Sequence, residues 1–144
     1  MPTRSYSMKN VVVTVDGQRV IGWYTGNAAF TVTPDSNRGF LLVGAAGETL
    51  FSISPNKACR FKLQLLHTSP THQLLLERLK QQDQGRLTNG FPVDWAETGS
   101  GEGGTGDETF IEIQAEAQVG TEAQMREWTL VSGDYQTKVP DNKG

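Results

Sequence analysis

The residues able to do chemistry in this chain are few and poorly grouped. His67 and His72 are the two histidines, five positions apart, with no Cys, Asp or Glu between them. A zinc site takes three or more ligands, and this pair supplies two at most, so both read as structural or surface histidines. No Gly-x-Ser-x-Gly elbow surrounds any serine, so a Ser–His–acid triad has no local support. Gly99, Gly101, Gly103, Gly104 and Gly106 crowd residues 98–107. A phosphate-binding loop needs Lys-Ser/Thr opening a helix after its glycines, whereas this run leads to Asp107 and Glu108, which repel phosphate. It is expected to be a flexible loop. Glu112 and Glu116 lie four apart in an alternating segment, which on a strand separates them by about 13 Å. That is too far for the paired carboxylates of a glycosidase. With Gln114 and Gln118 they form a polar ladder instead. No catalytic, cofactor-binding or metal-ligating residue is assigned, and an enzyme is not expected.

The elements that must carry these residues are mostly strands. Val11-Val12-Val13-Thr14-Val15 is a β-branched run closed by Asp16-Gly17, a strong turn pair. Val20 to Tyr24 reads as its return arm, and Phe30 to Thr33 as a short strand stopped by Pro34. Residues 39–54 predict a second hairpin with Gly44, Ala45, Ala46 and Gly47 at its tip. Both of its arms are apolar on more than one face, so it is either central or covered by another subunit. Residues 57–67 alternate cleanly, with Cys59, Phe61, Leu63 and Leu65 on one side and Arg60, Lys62 and Gln64 on the other.

A helix follows at about residues 70–82. Ser69 is its N-cap, Pro70 takes the first helical position, Leu74, Leu75, Leu76 and Leu79 form its apolar stripe, and Gly85 stops it. Phe91 to Trp95 reads as an edge strand because of Pro92. Residues 109–119 predict a strand with Ile111, Ile113, Ala115, Ala117 and Val119 on one face and the Glu112, Gln114, Glu116, Gln118 ladder on the other. Residues 126–131 resume β character, and the ends, residues 1–7 and 134–144, read as loosely held. The expected fold is mainly β, a β-sandwich or partly closed barrel with one packed helix, in a single domain over residues 1–144.

Composition limits the rest. Hydrophobic residues are 36% of the 144 and glycines number 16, which suits a turn-rich β-fold better than a helical bundle. Cys59 is the lone cysteine, so no intrachain disulfide forms, and its place in the alternating row makes it a small buried hydrophobe. No secretory signal and no membrane helix is visible, so a soluble protein made in the cytoplasm is expected. Net charge is −3 and unevenly spread: residues 94–134 hold one basic and ten acidic groups. Two surfaces of opposite sign favour head-to-tail contact between copies; the alternative is a solvated acidic face.

The segment Leu65-Leu66-His67-Thr68-Ser69-Pro70, a long strand running through Thr-Ser-Pro into a leucine helix, resembles the tail tube proteins of contractile-tailed bacteriophages. Tyr6-Ser7, the Gly-Ala-Ala-Gly turn and the Glu127-Trp128-Thr129-Leu130 strand agree with it. The resemblance implies a protomer that forms hexameric rings whose inward strands join into a barrel, the rings stacking as a tube inside a contractile sheath. Related folds build the type VI secretion tube. Implied partners are further copies of the chain, the tail sheath protein, the tape-measure protein, baseplate and tail-terminator proteins, and phage DNA passing non-specifically through the lumen; no membrane is implied. The implied place is the virion tail, assembled in the bacterial host cytoplasm. Either Glu112, Gln114, Glu116 and Gln118 or the opposed face with Arg60, Lys62 and Gln64 is expected to line the lumen or the sheath-facing side. The acidic ladder is favoured for the lumen, where a like-charged wall lets nucleic acid slide; the alternative is an ordinary solvated sheet face. Gly44, Ala45, Ala46 and Gly47 are the candidates for contacts between rings. The competing expectation is a β-sandwich binding module, such as a carbohydrate-binding part of a phage fibre or baseplate, with Trp23, Trp95 and Trp128 stacking on sugars.

Overall fold

The computed structural model describes residues 11–24, 29–122 and 124–138; the Tyr6-Ser7 opening and the loose end at residues 1–7 lie outside them. Ten strands and one helix run in the order β1 (Val11–Val15), β2 (Gln18–Arg19), β3 (Phe30–Pro34), β4 (Gly39–Val43), β5 (Thr49–Ile53), β6 (Cys59–Leu66), α1 (Pro70–Asp83), β7 (Phe91–Glu97), β8 (Gly103–Ile113), β9 (Met125–Ser132) and β10 (Tyr135–Lys138). Eight of the strands form one sheet, ordered β2-β1-β7-β8-β9-β6-β3 with β10 also on β8, while β4 and β5 pair only with each other.

The main sheet is antiparallel and curls around its own apolar face. Val13, Val15, Cys59, Phe61, Leu63, Leu65, Phe91, Val93, Trp128 and Leu130 are all at most 1% exposed. Each large side chain among them contributes about 1.5–3 kcal/mol by leaving water. The curl brings Phe30 of β3 to 5.7 Å from the Trp95 ring of β7. The sheet does not close there: a cleft of about 300 Å³ lies along this seam, between Phe30, Val32, Val11 and Trp95.

Helix α1 closes one end of the curl. The Ser69 hydroxyl accepts from the Thr71 N–H at 3.1 Å, as an N-cap should. At the other end the Gly85 N–H donates to the Gln82 carbonyl and the Arg86 N–H to the Gln81 carbonyl, with Gly85 at φ +71°. That is a Schellman stop, which satisfies the last carbonyls and needs the left-handed glycine. Leu74 and Leu75 are buried, and Leu79 packs on the core.

Several expectations change. The return arm is short: Gln18 and Arg19 pair with β1 and the Val20 N–H donates to the Val13 carbonyl at 2.7 Å, but residues 21–24 leave β1. Gly22, at φ +76°, turns the chain across to β6, where Trp23 bridges Leu65. Strand β7 is not an edge strand, because it lies between β1 and β8. Pro92 is tolerated because the ladder shifts register between Phe91 and Val93, so its missing N–H falls at a bulge.

The glycine run is not a loop throughout, since Gly103, Gly104 and Gly106 belong to β8 and are buried. A Cβ on Gly106 would meet the Ser132 hydroxyl at 2.6 Å, and one on Gly104 would strike the Tyr135 ring. The glycines are the space those side chains fill. Tyr135, expected in a loose tail, is buried at 6% exposure. Strand β10 pairs with β8 at Tyr135↔Gly106, in line with Thr109↔Ser132 of β9. Thus β9 and β10 are one strand interrupted at Gly133 and Asp134.

Candidate functional site

Hairpin β4–β5 stands apart from the sheet. Its ladder runs from Gly39↔Ile53 to Val43↔Thr49. At the tip the Gly47 N–H donates to the Gly44 carbonyl and the Gly44 N–H to the Glu48 carbonyl. With Gly47 at φ +87°, this is a turn ending in a bulge glycine. Gly44, Ala45, Ala46 and Gly47 therefore sit where the sequence puts them, at the exposed end. Alternation gives each face of the hairpin its own apolar set: Phe40, Leu42 and Leu50 on one, Leu41, Val43, Phe51 and Ile53 on the other. Their exposures run from 48% to 79%. Two bare apolar faces on one ribbon are unusual for a lone soluble chain and mark an interaction surface.

A second feature lies on the sheet's outer face. A groove of about 520 Å³ is lined by Lys62, Glu127 and Thr129 from β6 and β9, by Tyr24, Gln124 and Met125, and by Ile113, Gln114, Glu116 and Gln118. The sequence predicts these last residues within a regular strand, and here the structure differs. Ile111 pairs with Leu130 but Ile113 with Thr129, so Glu112 is the extra residue of a bulge. Past it the strand ends, and residues 114–120 have no regular structure. Ile111 and Ala115 are buried, but Ile113 is 55% and Val119 96% exposed. The expected five-residue apolar face does not form. Glu112, Gln114, Glu116 and Gln118 remain exposed, the last three brought together along the groove and Glu112 beside it.

The bulge aims Glu112 at Arg60. The Arg60 Nε donates to the Glu112 carboxylate at 2.9 Å, and its guanidinium also pairs with Asp35. Asn56 and then Arg60 hold the Asp35 carboxyl below its usual range. The Arg60 guanidinium is pushed up, first by its bond to Glu112 and then by that to Asp35. Basic and acidic halves of the sequence thus meet on one surface, because β6 is hydrogen-bonded to β9. Two separated surfaces of opposite sign are not what this face shows.

The remaining candidates have structural tasks. Trp128 is fully buried, and its Nε1–H donates to His72 Nδ1 at 3.0 Å. Trp95 Nε1–H donates to the Tyr135 hydroxyl at 2.9 Å, and Trp23 packs edge-on to Phe30. Trp128, at 0% exposure, has no face to offer a sugar, whereas Trp23 and Trp95 are only partly buried. Among the described residues no group of three His, Cys, Asp or Glu gathers to hold a metal ion, and no helix is long and apolar enough to cross a membrane. Cys59 is buried, and burial pushes its thiol up.

No protein-family model matches the sequence, nor does any curated protein. Solved structures do match the fold. The cap that terminates the tube of the anti-feeding prophage superposes with a TM-score of 0.65 at 10% identity, over 96% of this chain and 93% of that one. A chain of the sheath–tube complex of the extracellular contractile injection system PVC, in its extended state, gives 0.59 at 9% identity over 93% and 91%. One from the PVC sheath/tube terminator in the extended state gives 0.58 at 9% identity over 95% and 99%. The chain has a tail-tube-like fold. The likeness is one of fold and spans nearly the whole of each partner.

Sequence reasoning missed Tyr135 and the buried glycines of β8. The aromatic at position 135, alone in a polar tail, was the available signal.

Proposed function

We propose that this chain is a structural subunit of a contractile tail, with no catalytic role, which assembles into rings that stack as the inner tube of a phage tail and conduct DNA at ejection. The observation that carries this reading is hairpin β4–β5, apolar on both faces and covered on neither within the protomer. The fold likeness to tube caps and terminators supports it. Further copies cover the hairpin in this reading, six to a ring, and Gly44, Ala45, Ala46 and Gly47 reach the neighbouring ring. Glu112, Gln114, Glu116 and Gln118 face the lumen. The sheath, tape-measure, baseplate and terminator proteins are the other partners, and the virion, assembled in the host cytoplasm, is the place.

Native mass measurement with negative-stain microscopy tests the reading. Rings or tubes built from many 15.8 kDa chains are expected. A monodisperse 15.8 kDa particle at every concentration overturns it. Deleting Gly44, Ala45, Ala46 and Gly47 is expected to leave rings that no longer stack, and normal tubes from that deletion remove the inter-ring assignment.

A further inference from the structure

We infer that His67 and His72, with the buried Arg126, form an acid-released latch that holds the start of α1 and the segment leading into β9 against the sheet. Independent of any assembly, the geometry begins with hydrogen-bond direction. An indole N–H is a donor only, so the 3.0 Å bond from Trp128 Nε1 to His72 Nδ1 requires a lone pair on that nitrogen. His72 is therefore neutral, with its proton on Nε2. His67 is bound in the same sense. The Gln124 backbone N–H donates to His67 Nδ1 at 3.2 Å, while the His67 backbone N–H donates to the Gln124 carbonyl at 3.0 Å. Both rings use Nδ1 as an acceptor, and both lose it on protonation.

The third member sharpens the effect. Arg126 is 6% exposed, and its guanidinium donates to the carbonyls of Gln118 and Met125 at 3.0 and 3.2 Å. Among the described residues no carboxylate makes an ion pair with Arg126 or with either ring. The charges acting on His72 are Arg126 from β9 and His67 from the turn after β6, and both oppose a further positive charge. Burial is the larger cause that holds the His72 ring below the ordinary histidine value of 6.5. Folding thus favours the neutral ring. Its contribution is present in full above 6.5 and is lost as pH falls from there through the folded-state value. The Gln118 and Gln124 contacts fix the wall of the outer groove, so the latch controls whether that groove keeps its shape.

Tryptophan emission of a Trp23→Phe/Trp95→Phe chain, in which Trp128 is the reporter, tests this between about pH 7.5 and about pH 4.5, the range in which histidines change charge. A reversible transition with its midpoint below 6.5 is expected. In the His67→Gln/His72→Gln background, where the side chains still accept but do not titrate, it should vanish. Hydrogen exchange of the unaltered chain over residues 118–126 gives the same answer if the tryptophan variants fail to fold. Exchange there, corrected for intrinsic rate, should rise several-fold on acidification and stay level in the double-glutamine chain. An unchanged acid transition in that chain, or none in the parent, overturns the latch.

Discussion

Strand β6 and hairpin β4–β5 are neighbours in sequence, similarly rich in apolar residues, and opposite in use. In β6 every second side chain is apolar, and Cys59, Phe61, Leu63 and Leu65 are at most 1% exposed. In the hairpin the apolar residues run consecutively, and none of the large ones is less than 48% exposed. The difference lies in pattern more than in composition. A period of two offers one face to the chain's own core and leaves the other to water. A ribbon apolar on both sides has no solvent face to offer, so one protomer that covers a single side leaves the other bare. The first pattern builds a fold, and the second asks for neighbours.

Substitutions should separate these two uses. The largest effect on protomer stability is expected from Phe61→Ala in β6, about 3–5 kcal/mol by denaturant melting. A loss below about 1 kcal/mol would show that β6 is not the centre of the core. Gly104→Val comes next, because the new side chain must displace the Tyr135 ring, and overpacking costs about 1–3 kcal/mol. Gln82→Ala is expected to cost about 1–2 kcal/mol. The Gln82 amide bonds both the N–H and the carbonyl of Ile111 at 2.9 Å, standing in for a neighbouring strand. The smallest effect should come from Phe51→Ser in the hairpin, under about 0.5 kcal/mol for the protomer. The same change should abolish rings or tubes in the microscope. Protomer unfolding by Phe51→Ser would erase the contrast between the two regions.

Much of this was legible from the residues. Strand β6 and α1 follow from alternation, a serine cap, a proline and a stop glycine, all local signals, and the hairpin tip follows from its glycines. What was not legible depends on distant partners. The glycines of β8 look like a loop until Tyr135 and Ser132 fill the space above them. Pro92 looks like an edge until a bulge absorbs it. The alternation past Glu112 looks like strand until another bulge ends it, so Gln114, Glu116 and Gln118 line a groove while Glu112 turns to Arg60. Trp128 looks available for stacking until the fold buries it, because burial is a tertiary property.

The order of the strands also has a temporal meaning. Strand β1 waits for β7, with Val11 facing Glu97, and β6 waits for β9, with Cys59 facing Ser132. Such distant pairings make folding slow. Hairpin β4–β5 needs only itself and closes within about 1–10 μs. On a ribosome adding about 5–20 residues per second, its bare faces exist for several seconds before the strand that completes the core has been made. During synthesis, then, the ribbon that stays exposed in the finished protomer has all of its residues in place before the strand that completes the core is made.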